Sequence, residues 1–147
     1  MADFMTAYSL TQPDKLAVID DRAGAGVRTL TFKELNERAN QMANALLGLG
    51  ARPGETKVVW CGQNSSGLVV MINAARKLGI TAVPLNYRLS DEEAAYVTDH
   101  CDATIVYVDA EFAPMFSRIR GDLPKVTTYL VFDGEVPDGM VDAEALM

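Results

Sequence analysis

The sequence has little of what usually directs a search for function. Its 147 residues include only two cysteines, one histidine and one tryptophan. Acidic residues outnumber basic ones, 20 to 13, which gives a net charge of −7 and argues against a nucleic-acid partner, because such a partner requires a basic face. No apolar run reaches the ~18 residues that would cross a membrane. The N-terminus lacks the basic and apolar regions of a secretory signal, so we expect a cytoplasmic protein.

The residues most often found in catalytic or metal sites have structural explanations here. Cys61 and Cys101 both lie in apolar surroundings and are interpreted as small core residues rather than a disulfide or metal pair. His100 follows Asp99 near the end of a predicted helix, where a positive charge is favourable, and a catalytic pair is the alternative. The three acids at 91–93 begin that helix, where carboxylates are stabilised by the helix dipole. We therefore expect no metal site.

The clearest local pattern begins a helix at Thr31. Thr31 and Glu34 have the spacing of a capping box, in which each side chain accepts a hydrogen bond from the other residue's backbone. Gly50 has the position of a residue that ends the helix in the left-handed conformation. The apolar residues between these ends recur at steps of three and four, which predicts one buried stripe: Leu35, Ala39, Met42, Leu46 and Leu49.

Short apolar runs alternate with further helical patterns along the rest of the chain. We predict buried strands at 56–61, 80–84, 104–108 and 126–132, and an antiparallel pair at 16–20 and 28–32. Strand, helix and strand at this spacing form a right-handed crossover, which implies parallel strands. The predicted fold class is α/β, with a mostly parallel sheet of about four strands and helices on both faces.

Two long stretches carry a family resemblance. From Thr29 to Gly67 the chain reads T-L-T-F-K-E-L-N-E-R-A-N-Q-M-A-N-A-L-L-G-L-G-A-R-P-G-E-T-K-V-V-W-C-G-Q-N-S-S-G, and from Ala74 to Ser90 it reads A-A-R-K-L-G-I-T-A-V-P-L-N-Y-R-L-S. Together they resemble the start of the adenylate-forming acyl-CoA synthetases, the group that also holds luciferases and peptide-synthetase adenylation domains. The resemblance covers about residues 13–109, and its specificity comes from the order and spacing of its pieces.

The resemblance implies a parent enzyme that uses ATP, Mg²⁺ and CoA on a carboxylic acid, here a fatty or other hydrophobic acid. The family's Ser/Thr/Gly-rich phosphate loop, its later Thr-Glu and Thr-Gly-Asp motifs and its catalytic lysine are all missing from this sequence. We therefore interpret 1–147 as a single, truncated N-terminal subdomain of an adenylate-forming enzyme. By itself it is expected to hold no catalytic residue, to bind no cofactor and to be inactive. The sequence is compatible with a homo-oligomer.

Two glycine-rich stretches have part of the pattern of a phosphate-binding loop. Residues 24–26 read G-A-G, but Thr29 stands where a dinucleotide fingerprint needs its third glycine, so we predict a loop between strands. Residues 62–67 have the glycine spacing of a phosphate loop, but Leu68 and Val69 stand where lysine and serine or threonine are required. We therefore predict a structural turn there.

One segment remains as a candidate ligand site. Asn86, Tyr87 and Arg88 follow a predicted strand of the parallel sheet, at the end where open α/β sheets bind ligands. In some acyl-CoA synthetases the corresponding loop lies near the CoA nucleotide, so the resemblance implies that these residues contact CoA. Relatives with this contact often carry glycines there, which this sequence lacks. The alternative is that Arg88 is only a surface salt-bridge partner.

A different class of function also fits the sequence. The chain could be a free-standing α/β binding or interaction module that kept the scaffold of the family and lost its catalysis. The reading frame beyond Met147 distinguishes the two hypotheses. Several hundred further residues with the phosphate-loop motif would establish the ligase, and a native stop would favour the module.

Overall fold

An antiparallel hairpin precedes the main sheet in the computed structural model, which describes residues 3–22 and 26–147. Strands β1 (Leu16–Arg22) and β2 (Gly26–Thr31) pair antiparallel, as predicted. A short surface helix, α1 (Phe4–Thr11), comes before them and buries no residue of its own. Most of the predicted glycine loop, residues 23–25, lies outside the described residues.

The main sheet has five strands and is parallel throughout. Its strands lie in the order β4-β3-β5-β6-β7, and each neighbouring pair is parallel. The last of these strands was not predicted, because a strand of two residues is too short to show an alternating apolar pattern. The bounds are β3 (Lys57–Cys61), β4 (Thr81–Leu85), β5 (Ile105–Asp109), β6 (Thr128–Phe132) and β7 (Val141–Asp142).

Helices cover both faces of this sheet, which confirms the predicted α/β class. Helices α2 (Phe32–Gly48) and α3 (Ser66–Leu78) pack on one face, and α4 (Asp91–His100) and α5 (Ala113–Ile119) pack on the other. Each face encloses its own apolar cluster, since alternate residues of a buried strand point to opposite sides. No helix among the described residues is long and apolar enough to cross a membrane.

The beginning and end of α2 agree with the predicted signals. The Thr31 hydroxyl accepts from the Glu34 N–H at 3.2 Å, and the Glu34 carboxylate accepts from the Thr31 N–H at 2.8 Å. After the helix, Gly50 has φ +88°, and the Ala51 N–H donates to the Leu46 carbonyl at 2.9 Å. The stripe is also confirmed, with Leu49 half-buried and the other four members buried: Leu35, Ala39, Met42 and Leu46.

Two details of the predicted packing are wrong. Helical spacing in the sequence predicts one buried stripe on α3: Leu68, Met71, Ile72, Ala75 and Leu78. Met71 and Ala75 are buried as predicted, but Ile72 is 39% exposed and the other two are only half-buried. The buried residues of α3 are Val70, Met71, Ala74 and Ala75, so the helix is rotated relative to the prediction. At the other end of the chain, the sequence of 142–147 predicts the beginning of a helix that is too short to bury anything. Instead, Asp142 belongs to β7, Glu144–Leu146 forms a 3₁₀ turn, and Ala143 between them is fully buried.

Candidate functional site

The carboxyl ends of the parallel strands bring four loops to one edge of the sheet. The loop 62–65 follows β3, 86–90 follows β4, and Asp109 and Asp133 stand at the ends of β5 and β6. Open α/β sheets bind their ligands at this edge because the loops there converge while the strands below hold them in place. A ligand site is therefore expected at these loops.

The loop that contains Asn86, Tyr87 and Arg88 is fixed at both ends. The Asn86 side-chain oxygen accepts from the Arg88 N–H at 3.1 Å, which is an Asx turn. On its far side the Ser90 hydroxyl accepts from the Glu93 N–H at 3.3 Å, and the Glu93 carboxylate accepts from the Ser90 N–H at 2.9 Å. The spacing of Ser90 and Glu93 in the sequence, like that of Thr31 and Glu34, predicts this second capping box. It makes the loop the ordered start of α4.

The side chains of this loop present a cation next to an aromatic ring. The Tyr87 ring is half-buried against Phe112, with ring centroids 5.0 Å apart. The Arg88 guanidinium lies 5.5 Å from the centroid of the Tyr87 ring and is exposed. Among residues 3–22 and 26–147 it forms no ion pair, so the salt-bridge alternative finds no partner there. The guanidinium is free to bind an anion, and CoA contact by these three residues stays a prediction.

The glycine turn at 62–67 is filled by the protein itself. The Asp20 carboxylate accepts from the Ser66 N–H at 2.8 Å and from the Ser66 hydroxyl at 2.9 Å. A Cβ at Gly62 would stand 2.8 Å from the Asp109 Cβ, and one at Gly67 would stand 2.7 Å from the Phe132 ring. Both glycines therefore permit close packing, and the geometry agrees with the predicted structural turn.

Arg22 holds the hairpin against the same edge of the sheet, and sequence reasoning missed this contact. Its guanidinium contacts Asp20 at 3.2 Å and Asp109 at 2.8 Å, and it also pairs with Asp133. Arg28 of β2 pairs with Asp133 as well. We call Arg22 and its three carboxylates, Asp20, Asp109 and Asp133, the Arg22 cluster. No local signal reveals it, because Arg22 and Asp133 are 111 positions apart.

Two carboxylates of the Arg22 cluster, Asp20 and Asp109, have opposite pKa shifts. Burial opposes the ionisation of Asp20, but the hydrogen bonds from Ser66 and the charge of Arg22 outweigh burial and lower its pKa. Burial raises the pKa of Asp109. The hydrogen bond from the Glu111 N–H and the charge of Arg22 lower it by less, so the pKa of Asp109 is raised overall. Arg22 therefore offsets a desolvation penalty as well as forming contacts.

A cleft of about 460 Å³ separates the hairpin from the end of β6. Two arginines line it, but Arg28 is paired with Asp133, and Arg38 is paired with Glu144. Because both cations already have carboxylate partners, an anionic ligand would have to displace an existing ion pair. The cleft is therefore a poorer site for a phosphate group than the loop at Arg88.

The other candidate residues occupy the structural positions expected of them. His100 is exposed and stacks on Tyr96, with ring centroids 5.2 Å apart. Asp91 forms a two-point contact with Arg118, at 2.7 and 2.9 Å. Cys61 is buried, which raises the pKa of its thiol to about 12, and both cysteines are free. Within the part of the chain that the structure describes, no three His, Cys, Asp or Glu side chains are grouped to hold a metal ion.

An α/β sheet with its open loops at the carboxyl edge defines a class of ligand-binding domains, and comparison with known proteins identifies the family. The chain matches the family described as AMP-binding enzyme over residues 6–146. It therefore belongs to the AMP-binding enzyme family. The resemblance found in the sequence is confirmed.

Three relatives illustrate the match. Crotonobetaine/carnitine–CoA ligase of Salmonella paratyphi B is 30% identical over 122 residues, which are 83% of this chain and 23% of that protein. The 3-hydroxybenzoate–CoA/4-hydroxybenzoate–CoA ligase of Thauera aromatica is 31% identical over 110 residues, 75% of this chain and 21% of that protein. The structure of a Mycobacterium tuberculosis fatty acyl CoA synthetase superposes with a TM-score of 0.79 at 25% identity, covering 86% of this chain and 25% of that one. This chain thus spans less than a quarter of the length of the two curated relatives.

Proposed function

We propose that this chain is the N-terminal subdomain of a cytoplasmic, ATP-dependent acyl-CoA ligase. The observation that carries the proposal is the family match over nearly the whole chain, together with relatives that are CoA ligases. The whole protein would join a carboxylic acid to AMP with release of pyrophosphate, and would then transfer the acyl group to the thiol of CoA. The reading frame beyond Met147 tests this directly, as does the activity of the protein that it encodes.

In this proposal the chain is scaffold, and the adenylation machinery lies elsewhere. Stabilising the phosphates of ATP in a transition state requires cationic and N–H donors, and Mg²⁺ is held through carboxylates. The family motifs that supply these groups are missing from the 147 residues. Two amides at the start of α3 that could have bound a phosphate already have partners: the Ser66 N–H donates to Asp20, and the Leu68 N–H donates to the Ser65 hydroxyl.

The acid substrate is proposed to be a fatty acid or another hydrophobic carboxylic acid. The fatty acyl CoA synthetase from Mycobacterium tuberculosis supports the first possibility. The ligase from Thauera aromatica acts on hydroxybenzoates, which supports the second. Both kinds of acid should therefore be tested in the activity assays.

Within the chain, we assign the contact with CoA to Asn86, Tyr87 and Arg88. Arg88 offers a planar cation with several donors, which suits a phosphate group. Tyr87 offers a ring that is held in place by Phe112. Asn86 fixes the backbone at Arg88, so its part is positional. The loop thus fits the phosphate-bearing nucleotide end of CoA rather than its thiol.

The isolated chain is expected to show no ATP–pyrophosphate exchange. Octanoate and 4-hydroxybenzoate would be supplied as acids, with Mg²⁺ and labelled pyrophosphate, and the label in ATP would be measured. The longer parent protein, assayed in parallel, should exchange with at least one carboxylic acid. Exchange by the purified chain above a protein-free blank would contradict the proposal that it is only scaffold.

Arg88→Ala in the parent protein is expected to raise the KM for CoA by about tenfold or more, since a hydrogen bond to a charged group contributes about 1.5–3 kcal/mol. The exchange half-reaction should be nearly unchanged, because it does not involve CoA. Arg52→Ala removes another exposed arginine and is the matched control. If Arg88→Ala instead abolished exchange and left the KM for CoA unaltered, the loop would belong to the adenylation site.

A further inference from the structure

An apolar groove of about 260 Å³ runs between α3 and the edge strand β4, away from the Arg22 cluster. Ala82 and Pro84 of β4 form one wall, Leu68 and Ile72 of α3 form the other, and Trp60 lines the groove. Ala82 contacts the core cluster on the α3 side of the sheet, whereas Tyr87 packs in the cluster on the opposite side. The groove and the proposed CoA contact are therefore on different faces.

The groove exists because α3 has more apolar surface than the sheet covers. The sheet buries Val70, Met71, Ala74 and Ala75, while Ile72 remains 39% exposed. No further strand lies beyond β4 in the described residues, so nothing there covers this side of the helix. An exposed isoleucine beside an open sheet edge costs free energy in water, which an apolar ligand would recover.

The exposed polar side chain of the groove is a cation. Arg76 lines the groove near the end of α3, is exposed, and forms no ion pair within residues 3–22 and 26–147. Trp60 is only 4% exposed, so it contributes an apolar wall. A ligand that fits must therefore bring an apolar body, and Arg76 favours an anionic group on it.

We propose that this groove binds an apolar monocarboxylate, with its chain against Ile72 and Pro84 and its carboxylate on Arg76. The volume is below the range of about 300–1,000 Å³ typical of drug-sized ligands, which suits a short acyl chain or a single aromatic ring. A carboxylate is preferred to a phosphate because a single guanidinium supplies the charge. The proposal stands on the groove alone and does not depend on the ligase activity.

Octanoate is the probe, and Trp60 reports its binding because it is the only tryptophan of the chain. Titration of the 147-residue chain with octanoate below its micellar range should change the Trp60 fluorescence in a saturable way. Octan-1-ol, which lacks the charge, should bind at least about tenfold more weakly. Arg76→Gln should weaken octanoate binding by about tenfold and leave octan-1-ol binding unaltered. Arg118→Gln, on the opposite face of the sheet, is the control for net charge.

Ile72→Glu tests the apolar wall, and the exposure of Ile72 makes it compatible with folding, which far-UV circular dichroism would verify. This variant should lose octanoate binding. A linear response without saturation, or equal binding of octanoate to the Arg76→Gln variant, would overturn the proposal. A third result would also overturn it: the wild-type chain self-associates in sedimentation, Ile72→Glu makes it monomeric, and octanoate changes neither the association nor the Trp60 fluorescence. In that case a second copy of the chain covers the groove. None of these outcomes bears on pyrophosphate exchange.

Discussion

Replacing Leu46 by alanine is expected to lower the free energy of unfolding by about 2–5 kcal/mol, the usual range for a leucine removed from a core. Leu46 is fully buried in the stripe of α2 and packs in the cluster beneath α2 and α3. The loss combines the apolar surface no longer buried with the cavity left behind, since the surrounding side chains relax only partly. Urea denaturation followed by circular dichroism would measure it.

Leu47→Ala is the matched control for this experiment. Leu47 follows Leu46 in the same helix, but it is 47% exposed. The same chemical change there removes little buried surface, so the free energy of unfolding should change by less than about 1 kcal/mol. Equal losses at the two positions would show that the buried stripe of α2 does not face the core.

Arg22→Gln is expected to lower the free energy of unfolding by about 3 kcal/mol, because it leaves three carboxylates next to one another without their shared cation. The Arg22 side chain is 16% exposed, and Asp20 and Asp109 are more buried still. We place the loss at the low end of the range for breaking a buried ion pair, since part of the cluster remains in contact with water. Urea denaturation at about pH 7 would measure it, with Arg28→Gln as a control that removes only one contact of Asp133.

The loss in Arg22→Gln should also depend on pH. Without the guanidinium, the pKa values of Asp20 and Asp109 in the folded state should be higher than in the folded wild type, where Arg22 acts to lower both. The folded variant then binds more protons than the folded wild type, so the stability lost through the substitution grows as the pH rises. The difference from wild type should therefore be larger at about pH 7 than at about pH 4. A difference that is independent of pH would show that the contribution of Arg22 is not electrostatic.

The Arg22 cluster adds to the contacts that hold the hairpin on the domain. A two-stranded hairpin is marginally stable in water, and the exposed face of this one carries Ile19 and Val27. The pairs of Arg22 and Arg28 and the contacts of Asp20 with Ser66 attach both strands to the sheet and to α3. The hairpin is therefore held by ion pairs at its end together with its inner face, where Ala17, Val18 and Leu30 pack against the core.

Features that depend on neighbours in the sequence were predicted well. Both capping boxes, at Thr31 and Ser90, form the hydrogen bonds that their spacing predicts. Gly79 ends α3 with φ +68°, a role that the sequence predicts because this glycine directly follows the helical pattern ending at Leu78. These signals are reliable because a cap requires groups only three residues apart, and a left-handed residue requires only its own φ.

The rotation of α3 could not be predicted in the same way. Its sequence is apolar over a wide arc, so several choices of buried stripe were compatible with helical spacing. Contact with α2 and the twist of the sheet decide which residues point inward. The same choice leaves Ile72 outside, and with it the groove that we propose as a binding site.

The sequence by itself determined the α/β class, the starts and ends of the main helices and the parallel strands. Each of these follows from periodicity or from short spacings, which local sterics and hydrogen bonding impose on any chain. The family was also indicated by the sequence, through the resemblance of residues 29–67 and 74–90 to known enzymes. Only the tertiary structure decided which charges meet at the sheet edge, and which side of α3 stays open. Arg22, Asp109 and Asp133 come from distant parts of the chain, and no local rule selects one carboxylate over the others. They are brought together because packing the helices on the sheet fixes where each strand ends.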